Sequence, residues 1–148
     1  MKIDVEIRTE IEKSPSDVYR FIAVQHGQNH PRWDARALEF TQLTPGPVAI
    51  GTRFAYKRKV LPGLTQKLEV LITEMDPDRK FGFRIEGPMR ARVSYSLQSG
   101  SRPATTVVRA VADSELPGPQ LLAPLVRAVV NPGLRESQRR IKQMIEAT

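Results

Sequence analysis

For about 80 residues from Ala35 onward, apolar and polar side chains alternate with period two, and turn-forming residues break the pattern at short intervals. Residues 37–43 make the first run, closed by Thr44-Pro45-Gly46-Pro47. Residues 52–60 set Phe54 and Tyr56 opposite Arg53 and Lys57, and Leu61-Pro62-Gly63 turns the chain. Residues 65–74 set Leu68, Val70 and Ile72 opposite Lys67 and Glu69, up to a turn at Asp76-Pro77-Asp78. Phe81, Phe83 and Ile85 then oppose Arg84 and Glu86, before Gly87-Pro88. Val93, Tyr95 and Leu97 oppose Arg92, Ser94 and Ser96, before Ser99-Gly100-Ser101, and residues 105–112 close the series. Successive side chains on a strand point to opposite faces, so each run has one greasy and one wet side. Short runs joined by tight turns predict an antiparallel meander.

The flanks differ. Residues 2–11 alternate too, with Ile3, Val5, Ile7 and Ile11 against Lys2, Asp4, Glu6, Arg8 and Glu10, which predicts one more half-buried strand. Ser14 suits a helix N-cap, Pro15 the first helical position, and Asp17 follows three residues after the cap. A short helix with the stripe Val18, Phe21 and Ile22 is expected, ending near residues 24–27. Gln28-Asn29-His30-Pro31-Arg32-Trp33-Asp34 reads as a loop or a second short helix, and Pro31 disfavours helical geometry at His30. After Pro117-Gly118-Pro119, Leu121, Leu122, Leu125, Val126, Val129 and Val130 recur at helical spacing, followed by Leu134, Ile141, Met144 and Ile145. Pro132-Gly133 is expected to kink this helix or split it, because proline removes a donor and crowds the preceding turn. A kink there would let one end of the helix move.

The order is strand, two short helices, about six strands and a long helix, an α+β arrangement that fits one domain over residues 1–148. The long helix is the one element large enough to cover the greasy side of the sheet. A twisted, coiled sheet wraps around such a helix without closing flush, and the gap can hold a ligand. From the sheet, Phe54, Tyr56, Leu68, Val70, Phe83, Ile85, Val93 and Tyr95 would line it. Trp33 would wall it near the short helices, and Leu125, Val126, Val129 and Val130 would form the helix side. If the helix packs flush, the same residues are ordinary core. The Tyr56 and Tyr95 hydroxyls need partners, such as a ligand carbonyl, a water or Glu69.

At this point the chain resembles the START-like, or SRPBCC, superfamily, in its polyketide cyclase/dehydrase-like branch. The residues that carry the resemblance are the opening strand running into Ser14-Pro15-Ser16-Asp17-Val18-Tyr19-Arg20-Phe21, then Pro31-Arg32-Trp33-Asp34 and Ile50-Gly51-Thr52-Arg53-Phe54. Glu74-Met75-Asp76-Pro77-Asp78-Arg79-Lys80-Phe81 and the basic C-terminal helix complete it. The resemblance implies a helix-grip fold, a curved antiparallel sheet of about seven strands around a long C-terminal helix, with a hydrophobic pocket. Members of that superfamily include carriers, cyclases and oxygenase subunits, so fold alone does not choose among them.

Several chemistries are excluded or weakly supported. Without cysteine there is no disulfide, thiolate metal site or cysteine nucleophile. No G-x-S-x-G turn, phosphate loop or dinucleotide fingerprint occurs. His26, His30 and Asp34 are four apart, which on a continuous helix would make a metal face, but Pro31 argues against that helix. His30 or Asp34 could instead serve as an acid or base at a pocket mouth. Arg58, within Lys57-Arg58-Lys59, would face inward or lie at an edge, and could pair with a ligand carboxylate or reach the rim. The net charge of +7 suits nucleic acid or anionic lipid, but the strand aromatics lie on the face opposite the charges, which argues against nucleic acid. Arg135, Arg139, Arg140 and Lys142 suit the end of a helix dipole and could touch an anionic membrane. No apolar run approaches a membrane span and the N-terminus lacks the apolar block of a signal peptide, so a cytoplasmic protein is expected.

These features predict a carrier or sensor that binds a hydrophobic small molecule, lipid or polyketide-like, without cofactor or metal, as a monomer or homodimer. A cyclase or dehydratase acting on a polyketide-like substrate is the alternative, and a regulatory protein-interaction module is a third. No catalytic residue can be named from the sequence.

Overall fold

A computed structural model describes residues 1–61, 63–88 and 90–148, without the side chains of Val60 and Leu61. Seven strands form one antiparallel sheet: β1 (Lys2–Ile11), β2 (Ala37–Gln42), β3 (Arg53–Leu61), β4 (Leu64–Asp76), β5 (Lys80–Glu86), β6 (Arg90–Ser99) and β7 (Thr106–Glu115). Their order is β1-β7-β6-β5-β4-β3-β2, so the meander runs through sequential neighbours and β1 adds to its far edge. The expected turn Leu61-Pro62-Gly63 has its middle residue outside the described residues. Register breaks between Ala37 and Glu39, Lys59 and Leu61, and Ile72 and Glu74 mark irregularities in the ladder. Extra residues of this kind bend a strand and sharpen its twist.

The period-two pattern sorts the side chains as expected. Ile3, Val5, Ile7 and Ile11 are buried on β1 while Lys2, Asp4, Glu6 and Glu10 are exposed. Phe54, Tyr56, Leu68, Val70, Ile72, Phe81, Phe83, Ile85, Tyr95 and Leu97 join a single core on the concave side. On the outer face Arg53 reaches Glu69 at 3.2 Å and Glu86 at 3.4 Å.

Between β1 and β2 run α1 (Pro15–Tyr19), a π-helical turn (Arg20–Val24) and α2 (His26–Trp33). Ser14 caps α1 by accepting from the Asp17 amide, with Pro15 in the first turn. The loop alternative for residues 28–34 is not adopted: α2 continues through Pro31. Proline here removes its own bond to the turn before. The Asn29 amide donates to the Phe21 carbonyl at 2.9 Å, and His26, Asn29, His30 and Trp33 are all buried.

After a single 3₁₀ turn (Gln120–Leu122), α3 spans Ala123–Glu146 without a break, so Pro132-Gly133 does not split it. It lies along β1. Arg127 Nε donates to the Asp4 carbonyl at 3.1 Å and Lys142 Nζ to the Glu10 carbonyl at 2.7 Å. Its two halves pack differently. Ile141 and Ile145 enter the main core, whereas Ala123, Val126 and Val130 sit on Ile3, Val5 and Ile7. Leu121, Leu122, Leu125 and Val129 are exposed, so the first half of the stripe does not close over the sheet as its apolar spacing suggested.

Candidate functional site

The space beneath α3 has a closed end and an open end. The closed end lies where β1 finishes at Ile11 and where α1, the π turn and α2 cover the sheet. Its centre is a pair of histidines. His26 Nδ1 is 2.9 Å from the Ile22 carbonyl, which can only accept, so that nitrogen carries the proton. His26 Nε2 is then an acceptor, and His30 Nδ1–H donates to it at 2.9 Å. His30 Nε2 is left without a proton, 3.9 Å from Asp34 Oδ2.

Both rings are buried and neutral. Burial, and secondarily the neighbouring His30, holds the His26 pKa well below its usual range. Burial and then Arg58 lower that of His30 to about 3. Aromatic rings enclose the pair. His26 has Phe81 at 5.0 Å, Phe83 at 5.1 Å and Trp33 at 5.5 Å, centroid to centroid. His30 stacks on Phe40 at 4.5 Å and on Trp33 at 5.4 Å.

Asp34 links this end to the rim. Its Oδ2 accepts from the Tyr56 hydroxyl and from Arg58 Nε at 3.0 Å, and its Oδ1 from the Arg36 amide at 3.1 Å. Tyr56 therefore pairs with Asp34 rather than Glu69, which lies on the other face of the sheet with Arg53. Burial, reinforced by the Asp34 charge, pushes the Tyr56 and Tyr95 hydroxyl pKa values up. Arg58 does face inward, and its guanidinium is spent on Asp34.

The opposite end carries the β3–β4 and β5–β6 connections, the start of β1 and the first half of α3. On β5 and β7 the inward side chains stay buried, from 0% at Phe81 and Val108 to 8% at Ile85 and Ala112. Val93 differs. It lies on β6, an inner strand, opposite Phe83 and Ala112 on the concave side, yet it is only partly buried. The elements that pack over the concave side therefore do not cover this side chain completely.

The residues proposed to line a cavity thus divide. Trp33, Phe54, Tyr56, Val70, Phe83 and Tyr95 are locked in the packed core. Leu68 and Ile85 are buried in the same core, and Val93, level with Phe83 in the register, is only partly buried against it. Val126 and Val130 rest on β1, and Val129 is 62% exposed. At 100° per residue, Leu122, Val126 and Val129 share a flank of α3 with Arg140, whose Nη1 reaches the Arg32 carbonyl of α2 at 3.4 Å. Sequence reasoning missed the small residues Ala91 and Ala112 beside Val93, whose size leaves room. Their signal was alanine at inward positions otherwise held by bulky residues.

A hollow of about 510 Å³ lies on the outer face instead, among Asp4, Arg84, Arg90, Arg92 and Asp113. Its charged walls do not suit an apolar guest. No group of three or more metal-ligating side chains occurs among the described residues.

No family model and no curated relative matches the sequence. Solved structures do match in fold. Ara h 8.0201 is similar with a TM-score of 0.77 at 12% identity, covering 100% of both chains. A START superfamily protein from Mycobacterium smegmatis is similar with a TM-score of 0.78 at 13% identity, covering 97% of each chain. The di-domain ARO/CYC StfQ of the steffimycin biosynthetic pathway is similar with a TM-score of 0.77 at 12% identity, over 99% of this chain and 51% of that one. The seven-stranded sheet, the paired short helices and the long terminal helix together make a helix-grip fold, the architecture these structures share.

Proposed function

We propose that this chain binds an apolar small molecule between its sheet and the first half of α3, as a carrier or sensor. The observation that carries the reading is the partial exposure of Val93 in the middle of the concave face, with Ile85, Ala91 and Ala112 around it. An apolar guest there would remove this surface from water, a gain of about 25 cal/mol per Å² before ordering costs. Ara h 8.0201 and the START and ARO/CYC proteins share the architecture, which supports such a guest without naming it.

The arrangement of titratable groups favours a binder over a cyclase. His30 is buried and shifted, as a catalytic base could be, but its ring is enclosed by Phe40, Trp33, Tyr56 and Phe83. Its one free nitrogen looks at Asp34, not into the open end. The network holds α2 on β3.

Native mass spectrometry of freshly purified protein tests the reading. A co-purifying lipid or aromatic supports it and gives its class. A bare chain that also takes up no fatty acid or aromatic polyketone on titration overturns it.

A further inference from the structure

The first half of α3 breaks the rule that a surface helix turns polar residues to water. Between Leu121 and Leu134 the one charged residue is Arg127, and its guanidinium is turned back onto β1. The outward side instead presents Leu121 at 78% and Leu125 at 69% exposure, with Leu122 and Val129 beside them. Leu64, at the start of β4, is exposed at the same end of the molecule. An apolar surface on this scale marks a partner rather than bulk water.

The charges around it say which partner. Lys59 and Lys67 lie on the strands of the β3–β4 hairpin, and Arg90 opens β6. All three are exposed, and none makes an ion pair among the described residues. The register puts them at the end where the sheet is open and where Ala123 of α3 meets Ile3. Glu115, across from Arg90 and Lys2, is the acid in that register row, so cations outnumber it. Exposed leucines with exposed cations at one end match a bilayer interface bearing anionic headgroups, where leucine enters the acyl boundary and lysine or arginine stays with phosphate.

We infer that this end of the molecule docks on an anionic lipid membrane through Leu121, Leu125 and Leu64, with Lys59, Lys67 and Arg90 on the headgroups. Docking sets the mouth of the cleft against the bilayer. The inference goes beyond the ligand reading and does not depend on it, since the surface exists whether or not the cleft is filled.

Co-sedimentation with vesicles tests it, comparing phosphatidylcholine alone with an equal mixture of phosphatidylcholine and phosphatidylglycerol. The wild type should bind the mixture and bind phosphatidylcholine much less. Leu121→Glu/Leu125→Glu should lower binding to the mixture at least tenfold while its circular dichroism and melting are kept. Each of Lys59→Gln, Lys67→Gln and Arg90→Gln should lower it about fivefold. Equal binding to both vesicles, or binding to neither, overturns the inference. So does light scattering that shows a dimer dissociated by Leu121→Glu/Leu125→Glu, because the leucines would then cover a second copy. Uptake of a soluble fluorescent fatty acid, measured without vesicles, reports separately on the cleft.

Discussion

His30 Nδ1 donates to His26 Nε2 across one turn of α2, at 2.9 Å, and the two rings stand 89° apart. His26 must be neutral to accept this bond, because an imidazolium there would present a second donor, and burial keeps His30 neutral as well. The folded state therefore refuses protons that the unfolded chain accepts below about pH 6.5. The contribution is fully present above pH 6.5 and is lost as pH falls toward about 3. Each ring should add up to ~1.4 kcal/mol per pH unit to the acid slope of stability. Urea denaturation between pH 4 and 7, in roughly half-unit steps, measures the slope. His30→Gln should flatten it, and an unchanged slope would show that the pair is not its source.

Asp34 is the hub through which β3 holds α2. Removing it as Asp34→Ala leaves the Arg58 guanidinium and the Tyr56 hydroxyl without their shared acceptor. Arg58 retains some contact with solvent, which tempers the cost. A loss of about 2–3 kcal/mol is expected by chemical denaturation, larger than for a surface ion pair such as Arg102–Glu12.

Gln138 is buried on α3, and among the described residues neither its amide nitrogen nor its carbonyl oxygen has a hydrogen-bond partner. Methionine has a similar length and no unmet polar group. Gln138→Met should stabilise the protein by about 1–2 kcal/mol, read as a rise in the urea midpoint at constant slope. Destabilisation would show that the amide is in fact bonded in solution.

Enlarging a side chain separates empty space from packed core. Val70 is fully buried on β4, and Val70→Phe should cost about 1–3 kcal/mol by overpacking. Val93→Phe, at a partly buried position, should cost less than about 1 kcal/mol and should abolish uptake of an apolar ligand. Equal destabilisation by the two would mean that the open end is as tightly filled as the closed one.

Much of this was legible in the sequence, and the exceptions have physical causes. The alternation from Phe54 to Leu97 placed nearly every inward side chain, because a single-step slip would have buried Arg53, Lys67 or Arg84. Ser14 and Pro15 marked the start of α1. Pro31 misled about α2, since burial of His26, His30 and Trp33 outweighed one missing hydrogen bond. The apolar spacing of α3 could not tell that Leu121, Leu125 and Val129 would stay in water, because periodicity reports a stripe and not what covers it. Period two was equally silent on Val70 against Val93. Both face inward, and only the extent to which the folded chain covers them distinguishes them.

The central claim is that the space before Val93 takes an apolar guest. Methyl-resolved NMR during titration with a medium-chain fatty acid tests it directly. The account predicts that the methyls of Val93, Ile85 and Ala112 shift together and saturably, while those of Val70 and Val108 hardly move. Shifts confined to the outer leucines of α3, with Val93 unmoved at saturation, would contradict it.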